Sequence, residues 1–358
     1  MDFTFSPEQQ ELREAVHALA ADRATSARIR AAMAADEPYD ALLWRGLGQQ
    51  MGLLGLGIDE ELGGAGGGFV DAAVVIEESG RSLMPAPVLS TLVAGQLLAR
   101  AGNSVAEALG EVVGGERIAA VGVAGSGLSD GRIGFGGDAA GGGLSGLVPN
   151  VVDGAAAALL VLIGSNGLWL VRADDDRVSV TPQQTLDPTR RQATVGLDKA
   201  PAVALGDSTV ADHALDVLRV AYAVEAVGVA RRCLEMTVDY LKTREQFGRV
   251  IGSFQALQHR VAEIAVEVEA ATSTAYYAAW TVESSPEELP VVSPLALAVC
   301  ADTAWHAAAE SIQLHGGIGF TWEHDAHLYF KRATTTRLLF GDAHEQRRLV
   351  AARVGLFD

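Results

Sequence analysis

The sequence predicts an α+β fold of three consecutive domains: a helical N-terminal domain, a small middle β-barrel or β-sandwich domain, and a C-terminal four-helix bundle. Apolar residues recur at helical spacing near both ends of the chain. Between them lie short β-prone runs separated by Gly, Asp and Asn, where the helical pattern stops. We therefore expect domain boundaries at 1–112, 113–206 and 207–358.

The first domain opens on a clear helix start. Ser6 is placed as an N-cap, Pro7 stands at the first helical position, and Gln9 is placed to close a capping box. Further helices are expected over 41–49, 69–82 and 88–101, and the Gly-rich segment 63–68 is expected to be a loop.

The other two domains follow the same reasoning. Strands are expected over 118–123, 157–163, 167–171 and 178–180, with Asn166-Gly167 as a hairpin turn. Bundle helices are expected over 214–242, 254–282, 293–313 and 345–354.

Composition excludes several classes of function. The formal charge of −18 argues against a nucleic-acid partner, because phosphate binding needs a clustered basic face. Cys233 and Cys300 form neither a metal motif nor a disulfide framework, which fits a reducing cytoplasm. The N-terminus has no signal-peptide pattern, and the apolar run 155–163 is too short to span a bilayer, so we expect a soluble cytoplasmic protein without a membrane partner.

Several short motifs resemble the acyl-CoA dehydrogenase family over most of the chain. In the N-terminal domain they lie at 51–56, 61–66 and 77–81. The more specific ones are Arg244-Glu245-Gln246-Phe247-Gly248, Ser253-Phe254-Gln255 and Ile312-Gln313-Leu314-His315-Gly316-Gly317. The resemblance implies a dimer, or a tetramer of two dimers, with FAD bound across subunits.

The resemblance also implies site residues. Arg244 matches the arginine that reaches the FAD pyrophosphate, for which a guanidinium fork is suited. Phe247 matches a ring near the adenine and Gln255 a polar contact. Gln313, Gly316 and Gly317 match a loop that lies against the FAD bound mainly by the neighbouring subunit. Arg219 matches a region that contacts coenzyme A, although it could equally form a salt bridge.

The catalytic base departs from the family pattern. In the family a Glu removes the α proton while the β hydrogen passes to the flavin as hydride, but its two usual positions hold Gly341 and Leu218 here. Asp342 and Glu225 are the candidate substitutes. Asp342 is adjacent to the vacant position, and Glu225 lies two helical turns beyond Leu218 on nearly the same face. Alternatively, Asp342 is a loop or cap residue and Glu225 a paired charge within the bundle.

Two further regions bear on cofactor and metal binding. The loop that holds the flavin ring in the family is shortened here, with Ser126 and Ser129 as possible donors to the flavin edge. His324 and His327 have the spacing of a metal pair, but no third ligand is evident and no metal is expected.

The segments 317–332 and 338–342 resemble a divergent actinobacterial subgroup, some of whose members form one half of α2β2 enzymes acting on steroid side-chain thioesters. The resemblance therefore implies FAD-dependent α,β-dehydrogenation of an acyl-CoA, by a homo-oligomer or by an α2β2 assembly with a similar chain. Electron-transfer flavoprotein is the expected electron acceptor. The alternatives are a non-catalytic subunit that stabilises a catalytic chain and completes its FAD site, and an acyl-CoA oxidase.

Overall fold

The structure is a computed structural model that describes residues 4–37, 39–125, 134–136 and 143–356. Within these residues the predicted order of a helical domain, a β domain and a helical bundle is confirmed. Ser126 and Ser129, the expected donors to the flavin edge, lie outside the described residues.

The N-terminal domain is helical, and its first helix begins as predicted. The amide of Gln9 donates to Oγ of Ser6 at 3.2 Å, and the amide of Ser6 donates to Oε1 of Gln9 at 3.1 Å, which completes the capping box. The helices are α1 (Pro7–Arg23), α2 (Ser26–Ala34), α3 (Ala41–Arg45), α4 (Phe69–Arg81), α5 (Val88–Arg100) and α6 (Ala106–Val113).

The middle domain contains two open sheets packed face to face, so it is a sandwich rather than a closed barrel over the residues described. Their strands are β1 (Ala119–Val123), β2 (Leu144–Val152), β3 (Leu159–Gly164), β4 (Gly167–Arg172), β5 (Val178–Gln183), β6 (Gln192–Ala200) and β7 (Ala202–Gly206). One sheet has the order β1-β3-β4-β7 and the other β2-β6-β5. The predicted hairpin joins β3 to β4, with Gly164 paired to Gly167.

Strands β1 and β3 of the first sheet are buried on both faces. Leu160 and Leu162 of β3 pack into the core between the sheets, whereas Val161 and Ile163 pack into the helical core. This arrangement explains why the strand is an unbroken apolar run instead of an alternating one. The β domain is thereby fixed against the helices on either side of it in sequence.

The C-terminal domain is a bundle of long helices. They are α7 (Ser208–Thr243), α8 (Gln255–Ser284), α9 (Leu289–His315), α10 (Ala326–Leu339) and α11 (Ala343–Arg353), with a short hairpin of β8 (Glu245–Gln246) and β9 (Arg249–Val250) after α7. Helix α9 packs against α7, α8, α10 and α11. The segment Leu289–Phe320, which includes α9, is long and apolar enough to cross a membrane, but 67% of its most apolar window is buried inside the protein.

Candidate active site

The residues expected to bind the cofactor phosphates lie at one end of the bundle. The ring of Tyr240, in the last turn of α7, stacks on the ring of His315 at the end of α9, with centroids 4.5 Å apart. Arg244 follows directly after α7, and Gly316 follows directly after α9. The two motifs, about 70 residues apart in sequence, are therefore neighbours in the fold.

This end of the bundle is open to solvent in the single chain. Arg244, Gln255 and Gln313 are exposed, and the Phe247 side chain is 91% exposed. A Cβ built on Gly316 or Gly317 would meet no atom within 4 Å, so the backbone there is accessible to a ligand.

A cavity lies between the sandwich and the bundle, and we call it the inner cavity. It is lined by the end of β1 at Val123 and Gly125, the end of β2 at Asn150 and Val152, and helix residues Tyr222, Leu339 and Phe340. The loop that departs from the family pattern begins at its β1 wall, and Gly341, in the vacant position of the base, directly follows Phe340. The structure thus brings two of the divergent segments to one place.

A second cavity, which we call the charged cavity, adjoins the first and shares Val152 and Tyr222 with it. One wall is apolar and comes from the N-terminal helices, including Ile29, Met33, Leu83, Met84, Val88 and Leu89. The lining also carries ionisable groups, namely Asp153, Arg190, Arg191, Glu225 and Arg332.

Glu225 is buried and is bonded to two of these ionisable groups. Nη1 of Arg332 donates to Oε1 of Glu225 at 3.2 Å, and Nη2 of Arg190 donates to Oε2. Both carboxylate oxygens are therefore occupied by guanidinium groups, which stabilise the anion and disfavour its action as a proton acceptor. The arrangement matches the paired charge that was the alternative interpretation of Glu225.

The two arginines connect the bundle to the β domain. Nε of Arg332 donates to Oδ2 of Asp187 at 2.7 Å, and its Nη2 donates to Oγ1 of Thr189 at 2.8 Å. Nη1 of Arg190 donates to Oγ1 of Thr336 at 3.0 Å. The network therefore joins the loop before β6 to α7 and α10.

Burial and neighbouring charge shift the acidities in this cavity. Burial, together with the nearby Arg332 cation, lowers the pKa of Arg190 to about 10. Burial raises the pKa of Tyr222 to about 12 and also raises the pKa of Asp153, whose Oδ2 accepts a hydrogen bond from Oγ of Ser90 at 2.5 Å. Each shift favours the neutral form of a group removed from water.

Asp342, the other candidate base, is the N-cap of α11. Its Oδ1 accepts the amide hydrogen of Glu345 at 3.0 Å, and this bond lowers the pKa of the Asp342 carboxyl. The side chain is exposed and is not part of the inner or the charged cavity. Its placement matches the cap residue that was the alternative interpretation.

Arg219, the candidate contact for coenzyme A, is buried in α7. Its Nη1 donates to Oδ1 of Asp216 at 2.6 Å, and Oγ of Ser293 and Nη1 of Arg353 donate to the same oxygen. Because only 1% of Arg219 is exposed, this placement favours the salt bridge over contact with a ligand from solvent.

Comparison with known proteins identifies the family. Residues 6–108 match the acyl-CoA dehydrogenase N-terminal domain and residues 208–355 the acyl-CoA dehydrogenase C-terminal domain. Over 350 residues the chain is 40% identical to the acyl-CoA dehydrogenase IpdE2 of Mycobacterium tuberculosis, with 97% of each chain covered. The chain belongs to the acyl-CoA dehydrogenase family.

Other relatives extend the comparison. The acyl-CoA dehydrogenase FadE34 of Mycobacterium tuberculosis is 36% identical over 341 residues, which are 92% of this chain but 45% of FadE34. Among solved structures, a variant of the Tcur3481–Tcur3483 steroid ACAD has a TM-score of 0.90 at 31% identity and 98% coverage of both chains. The ChsE4–ChsE5 complex from Mycobacterium tuberculosis has a TM-score of 0.90 at 29% identity, with both chains fully covered.

Acyl-CoA dehydrogenases are oxidoreductases that bind FAD, and the exposed end of the bundle suits the phosphate part of that cofactor. Arg244 offers a guanidinium group for the pyrophosphate, and the backbone at Gly316–Gly317 is open to close approach. Most side chains that line the inner cavity are apolar, and Asn150 and Tyr222 add polar surface to it. The described residues therefore fit FAD.

Sequence reasoning missed the residues that give this acyl-CoA dehydrogenase its charged cavity. No role is predicted for Asp187 or Arg190 from the sequence, and Arg332 lies in a segment where no helix is expected but α10 is found. One sequence feature could have pointed to them: a charged residue inside an apolar helical segment needs a partner, so Glu225 predicts a cation nearby. Among the residues described, no group of three or more His, Cys, Asp or Glu side chains could hold a metal ion.

Proposed function

We propose that this chain is one subunit of a hetero-oligomeric, FAD-dependent acyl-CoA dehydrogenase that oxidises a steroid side-chain or branched acyl-CoA, and that a second, similar chain supplies the catalytic base. One observation carries the proposal. Both usual base positions hold residues that cannot accept a proton, Leu218 and Gly341, while Glu225 and Asp342 are engaged in other contacts.

The chain's own residues would contribute to cofactor binding at a subunit boundary. Arg244 would hold the pyrophosphate, and Phe247 would pack near the adenine. Gln255 and Gln313 would donate polar contacts, and the backbone at Gly316–Gly317 would close against a cofactor held mainly by the partner. When bound, FAD supplies the hydride acceptor for the β hydrogen of the substrate.

Relatives support a hetero-oligomer acting on steroid-derived thioesters. The solved relatives include a ChsE4–ChsE5 complex and the two-component Tcur3481–Tcur3483 steroid ACAD. FadE34 is about twice as long as the segment it shares with this chain, which leaves room for a second unit of similar size. We further propose electron-transfer flavoprotein as the acceptor of electrons from the reduced cofactor.

The test is to purify the chain alone and after co-expression with any acyl-CoA dehydrogenase-like chain encoded beside it. We expect flavin absorbance and bleaching by an acyl-CoA only in the co-expressed preparation. A chain that is yellow alone and bleached by substrate would overturn the requirement for a partner.

The non-catalytic alternative gives a different result in the same experiment. If the chain only stabilises its partner and binds no flavin itself, the flavin content and turnover of the complex do not change when Arg244 and Gln313 of this chain are replaced. Oxygen consumption without electron-transfer flavoprotein would instead favour an oxidase.

A further inference from the structure

The charged cavity has hydrogen-bonding capacity that the protein leaves unused. Arg190 donates to Thr336 and Glu225, and its remaining N–H groups make no hydrogen bond to a described residue. The Tyr222 hydroxyl likewise makes none, and Oδ1 of Asp153 accepts none from the described residues. These three groups line one cavity and are close enough to affect each other's charge.

Much of the remaining cavity lining is hydrocarbon. It comes from side chains of α2, α5 and the turn after α4, including Met33, Leu83 and Leu89. A ligand that fills this space must therefore present both carbon and a hydrogen-bonding atom.

The cavity is also placed to receive part of a substrate. It shares Val152 and Tyr222 with the inner cavity, and it shares Met33, Pro188, Arg190 and Arg191 with a surface pocket on the β domain. A group bound in it would lie between the protein surface and the proposed flavin region.

We infer that the charged cavity selects acyl-CoA thioesters whose acyl part carries an oxygen acceptor, a ketone or a carboxylate, over thioesters with a plain hydrocarbon acyl group. This inference rests on the proposed function and specifies its substrate class. Arg190 and Tyr222 are the specificity-determining residues, because they can donate hydrogen bonds to that oxygen.

The physical reason is the cost of displacing water. Water satisfies the free N–H and O–H groups of an empty polar cavity. An alkyl group would expel that water and leave buried donors unpaired, whereas a carbonyl or carboxylate oxygen replaces the lost hydrogen bonds. The difference in affinity therefore arises as much from the donors left unpaired beside an alkyl group as from the hydrogen bonds made to the oxygen.

The experiment uses the purified co-expressed complex and thioesters of equal chain length. Octanoyl-CoA is compared with the coenzyme A monothioester of octanedioic acid and with an analogue that has a ketone at the penultimate carbon. We expect the dissociation constants of the oxygenated probes, measured by calorimetry, to be at least tenfold lower. Equal affinity, preference for octanoyl-CoA, or no binding by any probe would overturn the inference.

Variants localise the effect. Tyr222→Phe should reduce the preference for the oxygenated probes at least threefold, and Arg190→Lys should do so for the carboxylate probe. Tyr39→Phe is the matched control, because Tyr39 packs on Trp44 and lines neither cavity. If Tyr222→Phe and Arg190→Lys both leave the preference unchanged, the assignment to these residues is wrong.

The two proposals fail in distinguishable ways. Loss of the proposed function appears as absent flavin or absent turnover in every preparation. The present inference depends only on relative binding of matched probes, which calorimetry measures without turnover.

Discussion

Oε1 of Glu225 in α7 lies 3.2 Å from Nη1 of Arg332 in α10, and both side chains are buried. Arg190 of the β domain binds the other oxygen of the same carboxylate. One carboxylate therefore holds two guanidinium groups from different parts of the fold. Without it, Arg190 would lose its ion pair, while Arg332 would keep the one with Asp187.

Replacing Glu225 by Gln should destabilise the protein strongly. The neutral amide cannot balance Arg190 and Arg332, and breaking a buried ion pair typically costs about 3–5 kcal/mol of the free energy of unfolding. Urea unfolding measures the change. Asp175→Asn is the control, because the Asp175–Arg177 pair is on the surface and its loss should have no measurable effect. A Glu225→Gln protein as stable as the wild type would show that the pair contributes nothing to folding.

Replacing Asp342 by Asn should leave flavin bleaching by substrate unchanged, because the side chain caps α11 and the proposed base belongs to the partner. Asn caps helices about as well as Asp, so stability should also be retained, whereas Asp342→Ala should lose up to about 1 kcal/mol. Stopped-flow absorbance of the co-expressed complex measures bleaching. Its loss in Asp342→Asn at normal flavin content would identify Asp342 as the base.

Replacing Arg244 by Gln should weaken FAD binding without unfolding the chain, because the side chain is exposed. Hydrogen bonds to charged groups contribute about 1.5–3 kcal/mol, so we expect a loss of affinity of roughly tenfold to a hundredfold. The flavin-to-protein ratio at limiting FAD measures it. Lys242→Gln is the matched control, since Lys242 is an exposed cation in the last turn of α7. Equal flavin retention in the two variants would remove Arg244 from the cofactor site.

Much of the fold could be predicted from sequence because the decisive signals are local. The capping box of Ser6 and Gln9 was predicted and is present, and the apolar periodicity of the long helices placed most of the bundle. Strand β2 was missed because it gains its stability from pairing with β6, about 45 residues away. Strand β6, which pairs with both β2 and β5, was missed as well. Helix α10 was missed because its polar and aromatic residues mask the helical pattern.

The candidate site was predictable only in part. The motif of Arg244 and the glycines at 316–317 are short local patterns, and the contact of Tyr240 with His315 brings them together. By contrast, the network around Glu225 joins residues 35 and 107 positions away in sequence. No single segment encodes such a network, so its partners could be identified only from the folded chain.

Acidification should destabilise the protein through His315 and His324, whose rings lie 4.3 Å apart at the centroids. Burial lowers the pKa of both below the ordinary value of 6.5, and for His324 the nearby His315 adds to the effect. The unfolded chain therefore binds protons first, so stability is fully present above about pH 6.5 and falls as the pH drops toward the folded pKa values. Urea unfolding across this pH range should show that the free energy of unfolding falls less steeply for His315→Gln than for the wild type. His344→Gln, at an exposed position, should keep the wild-type slope, and identical slopes in all three proteins would contradict the prediction.

The crossing of α4 over α7 depends on two glycines that allow close backbone contact. A Cβ at Gly80 would overlap the carbonyl oxygen of Glu225, and one at Gly228 would lie 2.7 Å from the backbone nitrogen of Arg81. Because backbone atoms cannot move aside as a flexible side chain does, Gly80→Ala and Gly228→Ala should each lower the free energy of unfolding by about 1–3 kcal/mol. Gly110 in α6 is the control.

Gly110 has no atom within 4 Å of a built Cβ, so alanine there meets open space. Gly110→Ala should stabilise the protein by about 0.5–1 kcal/mol, because alanine loses less backbone entropy in a helix. Thermal and urea unfolding should therefore show a lower free energy of unfolding for Gly80→Ala and Gly228→Ala, and a higher one for Gly110→Ala. A gain in stability for Gly80→Ala or Gly228→Ala would mean that the two helices can separate at little cost. The position of Glu225, whose backbone lies at this crossing, would then depend on its ion pairs alone.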